Sequence, residues 1–437
     1  MKACWRVGVL SFSLFLSASV AFAVGQRDTG ELLFWTSSTG KQATAVKAVV
    51  DAYNATNPAV KVKMVQVPGS ETDATNLMTA VRGGTGPDVY MLDRFTVAQR
   101  AADGILEDLS GELAKLDPNL GTKYVDFAWQ ESRFRGKTYA LPLEAGTRGL
   151  FYNKTVLREN GIDPAVMDWK NGPLTVDQIH EIARKIDKKD AEGNYTQIGF
   201  IPQQGQGWHY TWGYAFGGSF ADLKAGKVTP TNSGVVAGMQ FLYDWNKEMG
   251  PQQVQTFIST YAPPGNPPQQ DPFIVGRLAM LVNTSGYPAN LTMYGPDVDW
   301  DVTWIPIPKE GDRPSSWCGG WSLVAPTGTK LKEAAAKFIY YACGPEGNRI
   351  YCKANSSFPA LLEIQNDESI YVPKTEALRA MLPYSYNRPP LPVGALYWDA
   401  LGAAQDAVCS NLKTPQVALK EVEDSVQPQL NRFLPLQ

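Results

Sequence analysis

Only two histidines, His180 and His209, are available as general acids, general bases or imidazole metal ligands. His180 begins His-Glu-Ile-Ala-Arg, so Arg184 stands where the zinc-protease pattern needs its second ligand. It falls on the polar side of a predicted helix whose apolar positions are Ile179, Ile182, Ala183 and Ile186, and is expected to be solvated. His209 sits in an aromatic stretch without a local partner. No G-x-S-x-G elbow and no G-x-x-x-x-G-K-[ST] loop occurs, and Gly83-Gly84-Thr85-Gly86 reads as a helix-ending turn. Nothing calls for a cofactor or a metal. Carboxylates are plentiful, so composition leaves open a pair placed to hydrolyse a glycosidic bond.

The aromatic residues carry a stronger pattern. Trp208-His209-Tyr210-Thr211-Trp212 and Trp317-Cys318-Gly319-Gly320-Trp321 are the densest cases, and Tyr397-Trp398 opens a helix behind the stiff run Arg388-Pro389-Pro390-Leu391-Pro392. Many of the tryptophans stand beside Gly, Ser, Thr and Asn rather than at core spacing. A sugar ring presents an apolar C–H face and a belt of hydroxyls. Aromatic faces cover the first, and Asp, Glu, Asn or Arg must pair with the second, because a buried unpaired hydroxyl is costly. Aromatic residues interleaved with planar polar groups therefore suit a saccharide cleft. Core filling is the competing account of any single tryptophan.

The elements that must position these residues alternate. Residues 31–35 form a short strand, 41–54 a helix, 60–67 an alternating strand, 73–82 a helix and 88–92 another strand, which argues for a parallel sheet covered by helices. The pattern restarts with extended segments at 139–143 and 149–152, and a helix over 175–188 with Thr175 and Gln178 as its capping box. Strands follow at 198–201, 277–282 and 302–307, with helices over 234–249, 331–343, 396–412 and 415–430. At 437 residues, 44% of them hydrophobic, two domains are expected.

Residues 1–23 read as a secretory signal peptide. Lys2 and Arg6 precede an apolar run over 7–20, and Ala21-Phe22-Ala23 is a small-x-small cleavage site. The alternative is an uncleaved anchor, which the short run disfavours. Cys4 precedes the run, so a lipid anchor at the cleavage point is not supported. Loss of Lys2 and Arg6 moves the formal net charge from −3 to −5. A mildly acidic chain without a basic run is a poor nucleic-acid binder. Cys318, Cys343, Cys352 and Cys409 remain, and match no zinc motif. They are either free buried thiols or two disulfides in one of three connectivities.

The order of these signals resembles the extracellular solute-binding proteins of family 1, the carbohydrate receptors of ABC importers. The residues that carry the resemblance are the strand Glu31-Leu32-Leu33-Phe34-Trp35, Gly86-Pro87-Asp88-Val89, and Tyr139-Ala140-Leu141-Pro142 ahead of Leu150-Phe151-Tyr152-Asn153-Lys154. They continue with Gly276-Arg277-Leu278-Ala279-Met280, Ile305-Pro306-Ile307-Pro308 and Gly319-Gly320-Trp321. Asp93-Arg94-Phe95 is similar to the hydroxyl-holding Asp-Arg-Phe of maltodextrin binders, and Trp398 and Tyr287 fall at or near their stacking positions. The chain departs from that pattern at Met91 and Leu92, where a stacking Trp is expected. It departs again at the weakly charged Thr36-Ser37-Ser38-Thr39, and at Gly146-Thr147-Arg148, which replaces an acidic loop. These departures point away from maltose itself.

The resemblance implies an α/β, two-lobe periplasmic-binding-protein fold of type II with three hinge crossings. One lobe would hold residues 24–140 and 322–372, the other 144–318 and 373–437. It also implies a periplasmic monomer that closes on a mono- or oligosaccharide and docks on an importer's membrane permease subunits. Expected hydroxyl contacts are Ser37, Asp93, Arg94, Glu144, Arg148 and Asn283. Expected stacking residues are Trp208, Trp212, Tyr287, Trp321 and Trp398. The rival reading is a secreted glycoside hydrolase. Two further readings are an iron receptor using Tyr340 and Tyr341, opposed by their place inside a predicted helix, and a structural adhesion module.

Overall fold

The structure, a computed structural model, describes residues 30–70 and 72–436; the signal segment lies outside the described residues. Two five-stranded sheets organise the chain. The first runs in the order Lys61–Gln66, Glu31–Thr36, Val89–Asp93, Trp321–Val324, Ala140–Pro142. The second runs Trp300–Thr303, Arg148–Asn153, Leu278–Thr284, Tyr195–Gly205, Lys188–Lys189.

Burial explains the strand sequences. Val89–Asp93 is buried at every position, as a central strand covered on both faces must be, whereas the edge strand Lys61–Gln66 alternates its exposed lysines with Val62. The first three strands of the first sheet are parallel, as the βα alternation predicts. The sheets are nonetheless mixed, because Trp321–Val324 runs antiparallel to both Val89–Asp93 and Ala140–Pro142. That strand enters from the other lobe rather than through a crossover helix, so no βαβ geometry constrains its direction.

Each sheet has its own core. Around the first, Val46, Val49 and Val50 of helix Gly40–Ala55 meet Phe338 and Ile339 of helix Lys332–Cys343 and Tyr351 of helix Pro345–Asn355. Around the second, Ile179, Ala183 and Ile186 of helix Val176–Ile186 pack with Phe200, Trp212 and Trp245. The predicted capping box is present, with the Gln178 N–H donating to Thr175 Oγ1 at 3.2 Å and the Thr175 N–H to Gln178 Oε1 at 2.8 Å. Its solvent face carries His180, a third exposed, 2.7 Å from Glu248 and edge-on to the Trp245 ring.

The chain passes between cores three times: between Ala140–Pro142 and Arg148–Asn153, between Ser316–Cys318 and Trp321–Val324, and after residue 370. The first two passages pair with each other. Gly146 and Gly319 exchange backbone hydrogen bonds of 3.1 and 3.3 Å. Gly320 has φ +148°, and a Cβ there would lie 2.6 Å from the Glu144 carbonyl oxygen. Its role is close approach of two crossing strands. Among the described residues Cys318, Cys343, Cys352 and Cys409 are free thiols, the first three fully buried, so the disulfide alternative gives way to plain core packing.

Candidate functional site

The ends of both sheets face one cavity of about 360 Å³. Asp93, Glu144, Trp321, Asn355 and Ser357 line it from the side of the first sheet, and Arg148, Gln206, Trp208, Trp317, Arg388 and Trp398 from the side of the second. Asp93 ends strand Val89–Asp93, where the sheet opens and side chains reach the crevice. Trp321 sits opposite it in register on the neighbouring strand. Trp398 projects from the first turns of helix Gly394–Cys409, and Trp208 caps helix His209–Ala215. The Trp208 and Trp398 rings lie 5.6 Å apart, and Trp317 lies 6.1 Å from Trp398.

Beneath the indoles lies a network of guanidinium groups and carboxylates. Arg388 holds Asp93 in a bidentate ion pair across the two lobes, at 2.5 and 3.3 Å, with both side chains almost fully buried. The Arg388 guanidinium also lies 3.9 Å from the Phe95 ring centroid, a cation–π contact. Burial alone would lower the Arg388 pKa, but Asp93 and Glu131 more than offset it and the value rises. Arg94 is wholly buried one layer back. Its Nε bonds Glu131 at 2.8 Å and its Nη1 donates to the Glu144 carbonyl. The Glu144 carboxyl accepts from Asn355 at 3.2 Å, with Ser357 and Tyr351 beside it; its burial raises its pKa. Arg148 lies flat on Trp317, 3.4 Å from the ring centroid, and burial with the nearby Arg388 charge lowers its pKa to about 9.

Of the residues expected from sequence, the structure brings Asp93, Glu144, Arg148, Trp208, Trp321 and Trp398 to this cavity. It places the other five elsewhere. Arg94 turns back from the cavity to Glu131, because it begins the 3-10 turn Arg94–Thr96 after the strand ends and a buried guanidinium needs a carboxylate. Trp212 is fully buried with Nε1 bonded to the Pro202 carbonyl at 3.1 Å. Its aromatic run is a buried helix rather than a loop, and Gly238 of helix Ser233–Met249 lets that helix press against the Trp212 backbone. Tyr287 is a core residue, bonded to Asp271 at 3.1 Å and edge-on to Phe151. Asn283 lines a separate surface hollow with Pro263 and Pro267, because its strand neighbour Thr284 takes the cavity-facing side. Ser37, just past the end of strand Glu31–Thr36, bonds Tyr90 of the central strand and does not line the cavity.

Gln206, Thr284, Ser285, Trp317, Asn355, Ser357 and Arg388 also line the cavity. Trp317 and Arg388 were legible as an aromatic–glycine run and a proline-stiffened charge. Asn355 and Ser357 carry no local signal, since they reach the site only through the end of a helix 211 residues beyond Glu144. Tyr341 packs on Tyr53 of the first lobe's outer helix, so it and Tyr340 stand outside the site. Among the described residues no His, Cys, Asp and Glu cluster is arranged to hold a metal ion.

Residues 36–349 match the family model of the bacterial extracellular solute-binding proteins. Similar proteins include the maltotriose-binding protein of Pyrococcus abyssi, 23% identical with 89% of this chain and 79% of that one covered. The galactooligosaccharide-binding protein of Bacillus subtilis is 23% identical over 98% of each chain. Among solved structures, CpMnBP1 with mannobiose bound is similar at a TM-score of 0.79 and 23% identity, over 91% of this chain and 99% of that one. Maltose-bound MalE3 of T. maritima is similar at 0.70 and 22%, over 92% and 100%. These likenesses show a shared two-lobe fold.

Proposed function

Because this chain belongs to the bacterial extracellular solute-binding protein family, we propose that it is the ligand receptor of an ABC sugar importer, taking a mono- or oligosaccharide into the interlobe cavity. The observation that carries this reading is the lining: four indole rings share one cavity with a carboxylate, a carboxyl, two guanidinium groups and two amides. Indoles cover the apolar face of a pyranose, and the planar polar groups satisfy its hydroxyls. The cavity's 360 Å³ lies at the small end of the roughly 300–1,000 Å³ typical of ligand sites, which favours a short saccharide. Relatives named for maltotriose and galactooligosaccharide support the sugar class.

Mechanism follows from the passages between lobes. A ligand touching both lobes binds fully only when they meet, so it stabilises the closed form. Asp93–Arg388 joins the lobes beside the cavity, and the Ala395 N–H reaches Gln99 across the same seam at 2.8 Å. A membrane permease that reads the closed shape would distinguish loaded from empty receptor. The lobes as units, the periplasmic monomer and removal of residues 1–23 belong to this proposal; no helix among the described residues is long and apolar enough to cross a membrane.

A binding rather than hydrolytic role is supported by the carboxyls. Asp93 is engaged by Arg388, and Glu144 by Asn355, which leaves neither poised to hold a water or a leaving group. The test is a thermal-shift screen of mono- and oligosaccharides, followed by small-angle X-ray scattering with the best stabiliser. The cognate sugar at 100 times its Kd should stabilise by about 2.7 kcal/mol and reduce the radius of gyration. An unchanged scattering profile with a tightly bound sugar would overturn closure, and turnover of a chromogenic glycoside would overturn the receptor reading.

A further inference from the structure

Two guanidinium groups, Arg148 and Arg388, line the cavity, with Arg94 buried behind it, and of the three two have carboxylate partners. Arg388 is paired with Asp93 and Arg94 with Glu131. Arg148 has none among the described residues. Its hydrogen-bond partners are all neutral: the Gly146 carbonyl at 2.7 Å, Gln206 Oε1 at 3.2 Å and the Trp317 carbonyl at 3.5 Å, while its face rests on the Trp317 indole. Its Nε is buried without a partner, and the residue is 7% exposed. A buried cation without a counter-ion is expensive, and proteins normally pair it.

The surroundings favour an anion arriving from outside the chain. Gly319 bears no Cβ; one there would lie 2.9 and 3.0 Å from the two terminal nitrogens of Arg148. The bare main chain is what lets the guanidinium lie along the cavity wall. Thr284, Ser285 and Gly286, at the N-terminus of helix Tyr287–Tyr294, line the same cavity, and that end of a helix favours negative charge. Glu144, the acid on the wall besides Asp93, accepts from Asn355 rather than from Arg148, and burial raises its pKa. Arg148 is therefore the charged group on the wall that has no counter-ion among the described residues.

We infer that the cognate sugar is acidic, and that its anionic group, a uronate carboxylate or a phosphate ester, pairs with Arg148. This rests on the sugar-receptor reading above. Arg presents a planar fork that matches a carboxylate or phosphate bidentately, whereas neutral hydroxyls leave the charge uncompensated.

The test is calorimetric titration of the purified protein with neutral mono- and oligosaccharides and with their uronate and phosphate counterparts, for example galactobiose against digalacturonate and glucose against glucose 6-phosphate. We expect the acidic member of one series to bind at least tenfold more tightly, and the series that responds identifies carboxylate or phosphate. Arg148→Gln should abolish this preference and Arg148→Lys should retain part of it. Should both variants fail to fold, as judged by circular dichroism, the wild-type comparison alone decides. Neutral sugars binding as tightly as their acidic counterparts would overturn the anion inference and leave the sugar receptor standing. Failure of every sugar, neutral or acidic, would overturn both.

Discussion

Replacing Asp93 by Asn keeps the side-chain shape and removes the charge that Arg388 pairs with. Asp93 and Arg388 are 6% and 3% exposed, so the variant leaves a buried guanidinium without its counter-ion. Removing one partner of such a pair costs about 3–5 kcal/mol. Where that cost falls depends on geometry. The two residues belong to different lobes, so opening returns both to water and the penalty attaches to closure rather than to folding of either lobe. Since tight sugar binding requires closure, the variant should lose roughly two to three orders of magnitude in affinity, at about 1.4 kcal/mol per factor of ten. The ligand-free melting temperature should stay within about 2 °C of wild type. Adding Arg388→Met should recover part of the loss, because no uncompensated charge remains. Calorimetry and differential scanning measurements on the two variants decide it. If Asp93→Asn lowers the ligand-free melting temperature by many degrees and spares affinity, the pair is a folding contact, and the closure argument fails.

Trp398→Ala should weaken sugar binding tenfold or more with the fold intact, since ring stacking on a ligand contributes roughly 1–3 kcal/mol by analogy with base stacking; unchanged affinity by calorimetry would remove Trp398 from the site. His209 supplies a pH signature. It is 1% exposed, neither ring nitrogen has a partner, and burial with the nearby Arg388 charge lowers its pKa to about 3 from 6.5. A base with a depressed folded pKa contributes stability that is complete above the unfolded value. That stability is lost as pH falls from 6.5 towards 3, at about 1.4 kcal/mol per pH unit. His209→Leu should therefore flatten the acid limb of a melting-temperature profile over that window; a limb parallel to wild type would refute it.

The sequence by itself determined the elements and the class of chemistry. Helix and strand periodicity, the Thr175 capping box and the hydrophobic strand 88–92 are set by neighbours a few residues apart, and local rules read them well. The family landmarks pointed to the two-lobe fold. Tertiary structure decided which member of each candidate set faces the ligand. Asp93 and Arg94 are adjacent, yet one faces the cavity and the other is consumed by Glu131, a partner 37 residues away. Trp208 and Trp212 belong to one aromatic run, yet the first lines the cavity while the second is buried under Gly238. Asn283 and Thr284 alternate along one strand, and register alone gives the cavity to Thr284. Arg388 was readable as a charge before a proline run, but that it would seal Asp93 across 295 residues depends on how the third passage returns the chain. A side chain's type is a local property. Its direction and its partner are set by strand register and by contacts distant in sequence, which no window of neighbouring residues contains.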